Sequence, residues 1–220
     1  MNESAIILNF HGIGTPHEGV DPTERPYWIS PEFFRRILDH AAKWPQVGFT
    51  FDDGNSSDVP AAAMLEERGL RGAFFVLAGR FGLAHYLTRE DCRALREAGH
   101  EVGLHGRHHV DWRQLDDTAL ADETERARTE VETAAGGPVE SVGIPFGAYN
   151  RRVIAHLRRT GFHRIYTSDG GLAGRGDIRN RTSIRADMTL DQVAAILAGR
   201  EPASARLRRL ASTFVRRHLK

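Results

Sequence analysis

Four residues stand out for the chemistry their types and spacing allow: the adjacent pair Asp52 and Asp53, and His105 and His109, four apart. Neighbouring carboxylates repel each other unless a cation or a shared proton relieves them. Imidazoles at i and i+4 on a helical turn share one face and can reach a single metal ion. Two imidazoles and one carboxylate suit a divalent cation and leave positions open for water and substrate. The expected ligand set is therefore Asp53, His105 and His109, holding Zn²⁺, or else Co²⁺, Ni²⁺ or Fe²⁺. His108 points elsewhere on such a turn. An aspartate pair before Gly54 would equally suit a tight turn. The metal reading thus depends on the elements that bring these segments together.

Those elements alternate along the chain. Short apolar runs at 5–10, 47–51, 73–77, 101–104, 141–144 and 164–167 read as strands, with a weak seventh at 182–184. Between them lie amphipathic segments that read as helices: 31–44, opened by Ser30-Pro31, then 59–68, 88–98, 117–135, 151–160 and 190–197. Alternation of this kind predicts parallel strands with helical crossovers. In such folds functional groups sit on the loops after the strands. His11, Asp52-Asp53, His105–His109, Pro145-Phe146 and Ser168-Asp169 all follow strands, so they should collect at one end. Periodicity alone does not separate a closed barrel from an open sheet, although seven short units suit the barrel.

Composition narrows the partners. The 220 residues carry 30 Lys+Arg against 29 Asp+Glu, a net charge of +1, so no global field favours nucleic acid. One cysteine excludes a disulfide scaffold. No stretch approaches the roughly 18 apolar residues of a membrane span. The first ten residues hold an acid and no base, so no secretory leader and a cytoplasmic location are expected. Residues 1–200 are expected to form the domain, and 201–220 a basic amphipathic helix. Such a helix either docks its apolar stripe on the domain or lies on an anionic membrane surface.

The chain resembles the polysaccharide deacetylases with the NodB homology domain, also called carbohydrate esterase family 4. Thr50-Phe51-Asp52-Asp53-Gly54 is the first family motif intact, and His105–His109 matches the second, His-x-x-x-His. Gly143-Ile144-Pro145-Phe146-Gly147 keeps the third, Arg-x-Pro-Tyr/Phe-Gly, apart from its arginine. The resemblance runs from about residue 5 to 197. It implies a distorted (β/α)7 barrel and metal-dependent hydrolysis of an N-acetyl group on an amino sugar. Asp52 would be the general base, Asp53, His105 and His109 the metal ligands, and the Phe146 backbone N–H an oxyanion donor. The carbohydrate substrate would be a cytoplasmic precursor, lipid- or nucleotide-linked.

Two departures from the pattern bear on mechanism. Gly143 stands where the family has an arginine that balances the catalytic aspartate, and Arg185 is the expected replacement. The late histidine that serves the family as general acid is missing, which leaves His11 as the candidate proton donor. Pro145, Phe146, Asp169, Arg185 and Trp28 are the expected substrate contacts, the last because indole faces stack on sugar rings. Tyr27 and Trp112 invite the same reading. Other readings are a non-catalytic, metal-containing carbohydrate-binding relative, or a hydrolase of another amide or ureide.

Overall fold

The computed structural model describes residues 6–44, 46–200 and 203–218. Ala5, at the start of the first expected strand, and residues 201, 202, 219 and 220 of the expected tail lie outside them. The strands are β1 (Ile6–Phe10), β2 (Gly12–Ile13), β3 (Trp28–Ile29), β4 (Val47–Phe51), β5 (Ala73–Val76), β6 (Glu101–Leu104), β7 (Ser141–Gly143), β8 (Arg164–Thr167), β9 (Ile178–Asn180) and β10 (Thr182–Ser183). The helices are α1 (Pro31–Ala41), α2 (Asp58–Glu66), α3 (Arg89–Glu97), α4 (Asp117–Ala121), α5 (Ala127–Ala135), α6 (Arg151–Arg159), α7 (Leu190–Leu197) and α8 (Ala203–His218).

Eight strands form one parallel sheet in the order β10-β1-β4-β5-β6-β7-β8-β9. Its two edge strands are separated in sequence by Arg181 alone. One short stretch of chain therefore pairs with β8 on one side and with β1 on the other, closing a barrel of seven staves. The expected seventh strand, 182–184, is only the second half of that stave. The first half escapes a periodicity search because its three residues are only partly buried.

Alternation along the staves sorts the side chains into two layers. Leu8, Phe10, Phe49, Phe51, Phe74 and Ile165 pack outward into the main core with Phe34, Ile37 and Leu38 of α1 and Val131 of α5. Ile7, Ala73, Phe75 and Tyr166 form a smaller second cluster, on the opposite face of their strands. Asn9, Thr50 and Asp52 share the parity of that inner face and are buried. Local signals explain the helix starts: Ser30 caps α1 through the Phe33 N–H, and Thr88 with Asp91 forms a capping box on α3.

The helix expected over 117–135 is interrupted. α4 passes into a π-helical turn at Asp122–Arg126 before α5 resumes the regular winding. A π turn takes in one extra residue and so shifts the phase of the helix around it. Its effect is to bury Glu123 against the histidine loop.

Candidate active site

β4 delivers Asp52 and Asp53 at its C-terminal end, and β6 delivers His105. His109 follows on the loop after β6. Asp53 Oδ1 lies 3.5 Å from His105 Nε2 and 3.5 Å from His109 Nε2. All three donor atoms fall within 4.8 Å of one another. Asp53 Oδ1 is buried and has no hydrogen-bond partner among the described residues. An orphaned carboxylate oxygen facing two imidazole nitrogens is the arrangement a divalent cation satisfies, so the residues present fit the group.

Each imidazole is oriented from behind. His105 Nδ1 donates to the Gly143 carbonyl at 2.8 Å, which leaves the Nε2 lone pair directed at the centre. His109 Nδ1 meets Glu24 Oε1 at 3.1 Å. Burial pushes the His105 imidazole below its usual value. Burial works the same way on His109, but its hydrogen bond to Glu24 and the charge of Asp53 prevail and hold it above that value. Glu123, from the π turn, accepts from the Arg107 and His108 backbone N–H groups at 2.8 and 3.2 Å and pairs with His108 Nδ1 at 2.7 Å. It thereby sets the path of the chain between the two ligands.

Asp52 is held differently. Arg181, fully buried at the split in the seventh stave, donates Nη1 to Asp52 Oδ1 at 2.7 Å and Nη2 to Oδ2 at 2.9 Å. Asn9 adds a donor to Oδ2 at 2.9 Å, and its own carbonyl oxygen receives Arg181 Nη1 and the Thr50 hydroxyl. Burial alone would raise the Asp52 carboxyl. The Arg181 charge, helped by His105 and His11, overrides it and keeps the group well below the usual carboxylate range. The guanidinium itself rests over the rings of Phe75 and Tyr166.

This corrects the expectation for Arg185. That side chain bonds Asp187 at 3.1 Å and lies over the Tyr27 ring, and does not reach Asp52. Gly143, where the family has its arginine, is closely surrounded. A Cβ there would stand 3.2 Å from Asp52 Oδ1, from His105 Nδ1 and from the Phe75 ring. A side chain there would need its neighbours to give by a few tenths of an ångström, and the cation beside Asp52 comes instead from the seventh stave, which reaches β4 across β1.

The remaining expected residues divide. His11 places Nε2 4.0 Å from Asp52 Oδ2, with its ring 4.8 Å from that of Tyr27. Phe146 is exposed at the mouth, its ring 4.2 Å from that of His109. Pro145 beneath it is buried and offers no face to a ligand. Trp28 is also buried, pressed onto Gly12, where any Cβ would collide with the indole. It is therefore not an open platform for a sugar. Trp112 is fully buried too. The Asp169 carboxylate is occupied by the Tyr149 hydroxyl at 2.6 Å, the Thr167 hydroxyl at 3.1 Å and Arg216 of α8.

Backbone strain concentrates here. Of four non-glycine residues with positive φ among those described, three are Asp53 (78°), His109 (57°) and Phe146 (58°). Left-handed backbone at such residues persists only where surrounding contacts enforce it. Phe146, whose ring packs beside His109, is one of them.

A parallel (β/α)7 barrel with an Asp-His-His cluster and a second carboxylate at its mouth defines the class to which comparison with known proteins also leads. The family model for polysaccharide deacetylase matches residues 40–165, more than half the chain. The chain belongs to the polysaccharide deacetylase family. YxkH of Bacillus subtilis (strain 168), assigned by name to the polysaccharide deacetylases, is 23% identical over 127 residues. That match takes in 57% of this chain and 46% of YxkH, so the shared stretch is just under half of the curated relative. A polysaccharide deacetylase from Bacillus cereus superposes with a TM-score of 0.77 at 17% identity, over 89% of this chain and 69% of that one. The Streptococcus pyogenes deacetylase PplD, solved with acetate, gives 0.72 at 19% identity over 90% and 98%. These likenesses show the barrel fold. His11, Glu24 and Arg181 lie outside the stretch that the family model matches.

Proposed function

We propose that the protein is a cation-dependent hydrolase that removes the acetyl group from an N-acetylated amino sugar. The observation that carries this is the pairing of two carboxylates in opposite conditions. Asp53 Oδ1 is unpartnered between two imidazoles, while Asp52 next to it is fixed as an anion by Arg181. Asp53, His105 and His109 would hold the cation, most simply Zn²⁺. Bound there, a divalent cation supplies Lewis-acid polarisation of an amide carbonyl and makes nearby water more acidic.

The chain's own groups do the rest. Asp52 accepts a proton from the attacking water, and the water oxygen forms the new bond to the carbonyl carbon. The Phe146 N–H donates to the oxyanion that develops. His11, close to Asp52 Oδ2, delivers a proton to the departing nitrogen as the C–N bond breaks, so that acetate and a free amine leave. Arg181 cannot be that donor, since a guanidinium keeps its proton in this range. Asp52 retains an arginine partner in Arg181, which removes one of the two grounds for reading the chain as a decayed, non-catalytic relative.

The sugar we favour is carried on a lipid at the cytoplasmic side, a reading the basic character of residues 203–220 supports. The test is acetate release from a panel of N-acetyl sugars, free and lipid-linked, by protein stripped with chelator and then reloaded with Zn²⁺ or Co²⁺. Release that depends on the added cation supports the proposal. Full release from stripped protein, or none from any sugar after reloading, refutes it.

A further inference from the structure

Helix α8 carries a stripe of exposed large apolar side chains. Leu207, Leu210 and Phe214, at i, i+3 and i+7, are 70, 48 and 57% exposed. Thr213, by contrast, is buried, and Arg216 reaches inward to Asp169. α8 lies along α6, yet it does so without burying its largest hydrophobic residues. Exposed large apolar side chains in a row on a cationic helix are the pattern of a segment that settles into a bilayer interface.

Charge points the same way. Residues 203–220 contain five arginines and one lysine and no acidic residue. The whole chain carries +1, so the remainder is at −5, and any attraction to an anionic surface must be local to this segment. Among the described residues no helix is long and apolar enough to cross a membrane, so the contact would lie on the surface.

The attachment point of α8 gives that contact an orientation. Asp169 follows β8, at the same end of the barrel as Asp52, Asp53 and His105, and it receives Arg216 together with Tyr149. Arg216 also lies over the Tyr149 ring. α8 is thus fastened to the rim of the mouth. Leu172 and Phe146, on neighbouring loops of that rim, are exposed as well.

We propose that α8 seats the protein on an anionic lipid bilayer with the barrel mouth facing the headgroups. The proposal does not depend on the hydrolytic reading, because its test measures binding and orientation. The full chain is sedimented with vesicles of phosphatidylcholine alone and with added phosphatidylglycerol. It should bind only the anionic vesicles, and less as salt rises. Arg208→Gln with Arg209→Gln should weaken binding roughly thirtyfold, the worth of two basic residues near such a surface. Leu207→Glu with Leu210→Glu should abolish binding while the melting temperature stays that of the parent.

For orientation, an environment-sensitive fluorophore is placed on Leu172→Cys at the rim, or on Glu67→Cys after α2 at the opposite end. Cys92 is fully buried and stays unlabelled. The rim probe should blue-shift with vesicles and the far probe should not. Equal affinity for neutral vesicles, no binding by the parent, or equal shifts from both probes would overturn the proposal. So would a parent dimer that the Leu207/Leu210 double variant dissolves without any lipid binding, since the stripe would then belong to a second copy.

Discussion

Arg181 grips Asp52 through both nitrogens of its fork, from a position where the seventh stave breaks between its two pairing partners. Both groups are buried, so neither charge has water to fall back on. Removing one member of such a pair costs about 3–5 kcal/mol, mostly because the other is left uncompensated. Arg181→Met should therefore lower stability by about that much in urea titrations. Adding Asp52→Asn should recover most of the loss. If Arg181→Met costs less than about 1 kcal/mol, the range of an exposed pair, the two charges are not buried together as described.

How much of this was readable beforehand differs residue by residue. The two aspartates and two histidines declare themselves because type and spacing carry the chemistry, and strand ends place them at one mouth. Arg181 does not. A strand expected over 182–184 leaves Arg181 in the loop before it and points to Arg185 beyond its end, whereas the stave begins at 178 and Arg181 lies within it. Glu24 comes from a long loop with no periodicity, and only the fold brings it to His109. Glu123 is buried because a π turn rotates it inward, which a helical repeat conceals. Trp28 shows the opposite failure. An aromatic residue near the mouth suggested a sugar platform, but Gly12 beneath it provides a bed that buries the indole.

The two neighbouring aspartates should come apart on mutation. Asp52→Asn removes the proton acceptor and leaves the cluster of Asp53, His105 and His109 whole. Turnover should fall by roughly 10²–10⁴ while bound metal, read by elemental analysis, stays at the parent level. Asp53→Asn should instead lose metal and activity together. Metal lost from the Asp52→Asn protein, or retained in full by Asp53→Asn, would reverse the assignment.

Glu24 acts on the site through His109. Its carboxylate, 3.1 Å from His109 Nδ1, holds the ring so that Nε2 faces Asp53. Glu24→Gln should weaken metal binding by roughly 10–100-fold, the usual cost of losing such a partner. Activity should return at saturating metal. A variant that binds metal as tightly as the parent would show that Glu24 only closes the loop.

Asp58, first residue of α2, is fully buried, and neither of its carboxylate oxygens has a hydrogen-bond partner among the described residues. Ser57 before it does not cap the helix with its side chain; its hydroxyl instead accepts from Ile13 N–H. Burial, and then the charges of Asp53 and Asp52, raise the Asp58 carboxyl well above its usual value. A carboxyl raised on folding contributes stability that is complete below the unfolded value, about 4, and is lost as pH climbs through the folded one. Asp58→Asn mimics the neutral form at every pH. The variant should match the parent at about pH 4 and melt progressively higher as pH rises, by at least about 2–4 °C near pH 8, which corresponds to about 1 kcal/mol in a chain this long. Melting the two proteins side by side from pH 4 to 8.5 cancels groups they share. A difference that is flat across that range, or a variant less stable at the alkaline end, would mean that Asp58 is ionised and has found a counter-charge.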